Sequence, residues 1–359
     1  MKILVDIMHP AHVHFFRNAI KLWQKEHEVL VTSRDKEMTL TLLENYGIEN
    51  TCISRQGKGF AGLFKELLSR DAELFRLARK FKPDILTGIA GVSVAHVGFA
   101  TGTPSVVFYD TETATLSNAI TYPAASAICT PDCYMGQLGR KQVRYAGYHE
   151  LAYLHPDRFT PDKSILKDLG LGEERFFLLR FVSWEASHDI PQKGLSLEDK
   201  IKLIGILNGY GKVFISSEAE LPAELKPYRL SVEPHRMHDL MAFSSIVIGE
   251  GATVASEAAM LGVPAFYITK PGRGLGYTNE LEQKYGLIRN YSVEQTEAAF
   301  SEVKELVCRG ELDSEWKKKR EVMLEDKIDV TEFIEKFVLT YPVDPEKARD
   351  LSGNSEAVR

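Results

Sequence analysis

The sequence predicts an α/β protein made of two doubly wound, Rossmann-like domains in series that face a central cleft. Three observations carry this. The chain has 359 residues, and at roughly 150 residues per domain that length favours two medium domains over one. Its strand candidates are short apolar runs without alternation, which is what a parallel sheet covered on both faces requires. Amphipathic stretches separate these runs, and the series loosens after Gly147 and restarts at Phe176. Hydrophobic residues at 44% and charged residues at 26% are enough to build two cores and exclude global disorder.

In chain order, strands are expected at Lys2 to Met8, Glu28 to Thr32, Asn50 to Ile53, Ile85 to Gly88, Ser105 to Tyr109, Ala127 to Thr130 and Gln142 to Tyr145. Helices are expected between them at Phe15 to Lys25, Lys36 to Tyr46, Leu63 to Phe81 and Ser93 to Thr101. This is the first domain, residues 1–155. The second, residues 160–325, begins with the strand Phe176 to Phe181 and continues through helix Glu198 to Asn208, strand Lys212 to Ser216, strand Ile246 to Gly249, helix Thr253 to Leu261 and strand Ala265 to Thr269. Residues 326–359 read as a charged helix and a polar tail, frayed from Val343 onward. Sheets of this kind bind ligands in the crevice at the carboxyl ends of their strands, so function belongs in the strand-to-helix loops.

Several classes of function fall away on charge and composition. A formal charge of -6 offers no field for a nucleic-acid backbone. Four scattered cysteines do not make a disulfide scaffold, and Cys129 with Cys133 lacks the second pair of a zinc site. The apolar run before Asp6 is too short for a secretory leader, and nowhere do 18 apolar residues run together. A cytoplasmic protein is expected, peripheral to the inner face of the membrane if it touches one.

The most informative segment is IVIGEGATVASEAAMLGVPAFYI, residues 246–268, where a strand ends in small residues and a helix starts at once. The amides and dipole of such a helix start favour a phosphate. Thr253 and Glu257 share one helix face, and the two oxygens of Glu257 suit two adjacent sugar hydroxyls. A plain tight turn followed by a solvated glutamate would use the same residues. Near the amino terminus His9, His12 and His14 lie within six residues on an expected loop. An imidazole titrates near neutral pH, so His12 suits a general base. Ligand positioning, a structural role and metal binding remain open for the trio.

The stretch from Gly251 to Pro264 resembles the nucleotide-sugar motif of the GT-B superfamily, shared by glycosyltransferases that use UDP-sugars and by UDP-N-acetylglucosamine 2-epimerases. The resemblance covers roughly residues 1–325. It implies that Gly251, Ala252 and Thr253 hold the diphosphate and that Glu257 holds the ribose. His12, in MHPAHVHFFRNAI, falls where inverting members carry a histidine near the acceptor, although His9-Pro10-Ala11 replaces their glycine-rich pattern. Residues 83–112 resemble the acceptor side of the cleft, lined by Gly91, Ser93, Asp110 and Glu112, the last two being reserve bases. Ser183, with Ser187, would contact phosphate, Arg236 and Met237 the uracil, and Lys270, Arg273, Asn279 and Glu280 the donor sugar or phosphate. The opening DIMHPAHVHFFRNAI is similar to an uncharacterised archaeal and bacterial family of this fold.

What the resemblance implies is a metal-independent glycosyltransferase of polysaccharide biosynthesis. It would need no cofactor and would move a sugar from a UDP-sugar substrate to a hydroxyl of a glycan or lipid-linked acceptor. Phe60, Leu63 and Phe64, beside basic residues in the segment Arg55 to Lys65, would meet a membrane surface, although the residues themselves favour a plain helix-entry loop. The alternatives are a 2-epimerase-like enzyme and a non-catalytic nucleotide-sugar binder. Against the epimerase, Gly88 to Gly91 replaces that family's acidic turn and no arginine-rich histidine motif follows Phe181, whereas Asp110 falls near one of its acidic positions.

Overall fold

A computed structural model describes residues 1–172, 174–181, 194–217, 220–270, 274–309 and 312–352. It divides into two compact units, residues 1–158 with 327–359 and residues 159–326. The carboxyl-terminal segment thus belongs to the first unit.

In the first unit the chain runs β1 (Lys2–Ile7), α1 (Pro10–Trp23), β2 (Glu28–Asp35), α2 (Thr39–Asn45), β3 (Thr51–Arg55), α3 (Gly59–Phe81), β4 (Ile85–Ile89), α4 (Val92–Thr101), β5 (Ser105–Phe108), α5 (Thr115–Thr121), β6 (Ala127–Pro131), β7 (Gln142–Tyr145) and α6 (Leu151–Leu154). All seven strands are parallel, in the order β3-β2-β1-β4-β5-β6-β7. β4, β5 and β6 are buried along their whole length, which explains their unbroken apolar runs. Strand order reverses between β1 and β4, so the loops after these two strands flank the crevice in which such a sheet binds ligands.

The second unit runs α7 (Ser164–Asp168), β8 (Phe176–Phe181), α8 (Leu197–Asn208), β9 (Lys212–Ser217), α9 (Met237–Ala242), β10 (Ile246–Gly249), α10 (Ala252–Met260), β11 (Ala265–Thr269), α11 (Gly276–Gln283), β12 (Ile288–Ser292), α12 (Thr296–Arg309) and α13 (Leu312–Asp326). Its parallel sheet has the order β12-β11-β10-β8-β9, with the reversal between β8 and β10. Gly249 pairs with Arg180 across that reversal, and a Cβ on it would stand 2.7 Å from the Arg180 carbonyl oxygen. The glycine is therefore required by the approach of two strands.

The chain then returns to the first unit as α14 (Val330–Thr340) and α15 (Pro345–Asp350). Val330, Phe333, Ile334, Phe337 and Val338 form the buried stripe of α14, and Phe333 stacks on Tyr145 at 4.8 Å. Lys327 reaches Asp132 at 2.8 Å and Tyr341 donates to the Ser126 carbonyl at 2.9 Å. The frayed tail expected from Val343 is corrected over its first part. Asp344 caps α15 through Lys347 N, Pro345 opens the helix and Ala348 is buried.

Candidate functional site

Each unit brings a polar cluster to the carboxyl ends of its strands. In the first unit the cluster begins with α1, which starts five residues earlier than expected. Pro10 occupies the first turn, and the His9 Nδ1 accepts the Ala11 amide as the cap. This corrects the loop placement of the histidines, since His12 and His14 lie within the helix. His14 stacks on Tyr153 at 5.2 Å and meets the Tyr46 hydroxyl through Nδ1 at 3.2 Å, while Arg17 also reaches Tyr46. That is a packing role. His9 lies 3.7 Å from Glu37, and burial with the nearby Lys36 pushes its pKa down to about 4.

His12 is buried, and its Nδ1 accepts the Met8 amide at 3.3 Å. Burial, then the neighbouring His9 and His149, hold its pKa well below the usual imidazole value. With Nδ1 occupied in this way, the hydrogen of the neutral ring sits on Nε2, so His12 presents a donor. Asp110, just past β5, is the carboxylate of the cluster. It accepts the Thr111 hydroxyl at 2.8 Å and lies 3.2 Å from His149 Nδ1. Burial works to raise its pKa, but His149, then Thr111 and His12, outweigh that and bring it down to about 2. His149 is buried against Phe15, with ring centroids 4.6 Å apart. Sequence reasoning missed it, because the only signal was one histidine in the short, mostly apolar segment AGYHELAYL after β7. Glu112 accepts the Met135 amide at 3.1 Å, Gly91 is the cap of α4 and Ser93 is buried in the first turn of that helix.

In the second unit, β10 ends at Gly249 and Gly251 caps α10 without a side chain to fill the helix start. Ala252 and Thr253, the first helical residues, are half-buried. Glu257 lies further along the same helix and is buried, whereas Val254 is only half-buried. The glutamate tolerates burial because His238 Nε2 on α9 donates to its Oε1 at 2.9 Å. Glu250, in the turn, is held by the Leu195 amide at 2.7 Å and the Lys200 ammonium at 3.1 Å.

Of the other expected contacts, Met237 opens α9 and is half-buried. Arg236 pairs with Asp162 at 3.0 Å, Asp168 at 2.9 Å and Asp239 at 3.5 Å. Asp239 also accepts the Asp162 amide at 2.9 Å. Asn279 lies on α11, close against Gly274. Ser183, Ser187 and Arg273 lie outside the described residues.

Solved structures share this fold. The UDP-GlcNAc 2-epimerase of Neisseria meningitidis, solved bound to UDP-GlcNAc, aligns with a TM-score of 0.65 at 13% identity over 94% of this chain and 99% of that one. The UDP-GlcNAc 2-epimerase of Methanocaldococcus jannaschii aligns at 0.64 and 14% identity over 95% and 100%. The glycotransferase of kitacinnamycin aligns at 0.58 and 12% identity over 94% and 99%. The fold is GT-B, with a seven-stranded and a five-stranded parallel sheet. A curated relative, an uncharacterized protein of Methanocaldococcus jannaschii, is 25% identical over 307 residues, 82% of this chain and 89% of its own length. The strand order, the α10 turn and the amino-terminal histidines all fall within residues 1–338, and over that span the chain belongs to the family described as "Protein of unknown function (DUF354)".

Proposed function

We propose that this protein is a glycosyltransferase that takes a UDP-sugar and moves the sugar to a hydroxyl of a glycan or lipid-linked acceptor. The observation that carries the reading is α10, with uncapped amides at its start and a buried, oriented carboxylate at Glu257. Departure of the nucleoside diphosphate builds negative charge, which the α10 amides and dipole stabilise without a metal. Glu257 accepts the ribose hydroxyls. Arg236, Met237 and Asn279 are proposed for the base and the donor sugar. In the first unit the Asp110 carboxylate, rather than His12, accepts the hydrogen bond of the attacking hydroxyl and takes its proton, while His12 Nε2 donates.

Calorimetric titration with UDP, UDP-N-acetylglucosamine, GDP and dTDP, with and without magnesium, tests the binding half. Uridine nucleotides should bind equally in both conditions, and no binding to any of them would sink the reading. Glu257→Ala should weaken UDP binding by about 1.5–3 kcal/mol, since a charge-assisted hydrogen bond is removed. An unchanged dissociation constant would remove Glu257 from the site.

The second reading, a 2-epimerase, is supported by the epimerases that share the fold. Incubation with UDP-N-acetylglucosamine and candidate acceptors separates the two. Acceptor transfer that Asp110→Asn abolishes while UDP still binds supports the transferase, a changed sugar supports the epimerase, and binding without product leaves a binder.

Phe60, Leu63 and Phe64 are 77%, 45% and 55% exposed at the start of α3, with Lys58 and Lys65 beside them. We propose that they touch the membrane that holds a lipid-linked acceptor. No helix among the described residues is long and apolar enough to cross one. Phe60→Ser with Phe64→Ser should lower flotation with anionic vesicles several-fold, and equal flotation would argue for a simple helix-entry loop.

A further inference from the structure

The buried pair of Glu257 and His238 joins two elements that the sequence keeps apart. Glu257 lies on α10, whose neighbouring inward residues Ala255, Ala258 and Ala259 are small and apolar. A glutamate there has three rotatable bonds, and ordering such a side chain carries an entropic cost. Its carboxylate accepts a 2.9 Å hydrogen bond from His238 Nε2. The imidazole is itself immobilised. His238 is 2% exposed, sits on α9 beside the fully buried Leu240 and Met241, and meets the Phe159 ring edge-on at 6.3 Å. A carboxylate accepts only, so Nε2 must carry the hydrogen, and the tautomer is set by the pair.

We propose that His238 is a positioning residue that fixes the plane of the Glu257 carboxylate, and that it thereby sets how strongly the site requires the ribose hydroxyls of its nucleotide. The inference rests on the nucleotide reading of the α10 site. A carboxylate held in one plane meets a vicinal diol in one orientation, with the ordering already done before the ligand arrives. Without the imidazole the carboxylate loses the donor that sets its plane, and the diol gains less from it.

The test measures a ratio, the dissociation constant of 2′,3′-dideoxy-UDP over that of UDP, in wild type, His238→Phe and His238→Gln. The phenylalanine keeps the ring and its packing on Phe159 but cannot donate. The glutamine amide replaces the donor at similar reach. Wild type should prefer UDP by about tenfold or more. His238→Phe should bring the ratio below about threefold, and His238→Gln should restore most of it.

A purely structural histidine would weaken both nucleotides equally and leave the ratio unchanged, which overturns the proposal. So does loss of the ratio in both variants, because restoring the donor then restores nothing. Should His238→Phe fail to fold, His238→Asn, whose amide is too short to reach Glu257, takes its place with the same expected loss. A wild-type ratio near one is a different failure. It removes Glu257 from the ribose, and the nucleotide reading falls before the role of His238 is reached.

Discussion

Arg70→Met should destabilise the first unit by about 3–5 kcal/mol, the usual loss when one partner of a buried ion pair is removed. Arg70 lies on α3 and Asp6 on β1, and both are almost completely buried. Arg70 Nη2 donates to both Asp6 oxygens at 2.7 Å, and Nη1 donates to the Ser54 hydroxyl at 2.7 Å. The network continues, since Ser54 donates to Glu66, and Arg34 donates to both Glu66 oxygens at 2.6 Å. Four elements, β1, β2, β3 and α3, are tied by it. With Arg70 gone, Asp6 keeps the Thr32 hydroxyl at 2.7 Å but has lost its counter-ion in an apolar surround.

Urea denaturation reads the effect as a lower midpoint at unchanged slope. Replacing both partners, as Asp6→Leu with Arg70→Met, should recover most of the loss, because apolar residues of similar volume often substitute for a buried pair. A single variant as stable as wild type would mean that water reaches Asp6 in solution.

This network shows where the sequence was legible and where it was not. The strands of the parallel sheets could be anticipated because fully buried parallel strands leave unbroken apolar runs. Phe176–Phe181, Ile246–Gly249 and Ala265–Thr269 fall where the reading placed them. β12 was missed because it is an edge strand whose sequence IRNYS is mostly half-buried and carries polar residues. On α3, Leu68 and Phe75 are exposed, and the inward positions are Glu66, Arg70, Leu74 and Ala78 at four-residue spacing. Charges went inside because their partners come from other strands, and no local pattern records that. The α10 turn and Glu257 were visible as a contiguous motif. His238, 19 residues earlier in the chain, and His149, far from Asp110, acquire meaning only when the fold brings them to a carboxylate.

Lys200→Met should disturb stability and nucleotide binding together, by a comparable few kcal/mol in the first case, about 3–5 where a buried charge loses its partner. Glu250 stands one residue before the cap of α10, and Lys200 Nζ lies 3.1 Å from its Oε1, with both side chains almost fully buried. The ammonium also sits 4.8 Å from the Phe181 ring centroid, and burial lowers its pKa against the opposing pull of Glu250. As a pair the two charges cancel, and the helix start keeps its positive character for the diphosphate proposed to bind there. Without Lys200 a carboxylate remains at that position, where it is attracted to the same amides and dipole and repels an incoming anion. UDP affinity should therefore fall, and uridine, which carries no phosphate, should lose less. Adding Glu250→Gln removes that carboxylate's charge, so the double variant should regain most of the stability and most of the UDP affinity. A double-mutant cycle separates the coupling from the two single losses. If Lys200→Met lowers stability but leaves UDP and uridine affinities unchanged, the pair is a structural tie and the diphosphate does not approach the α10 turn.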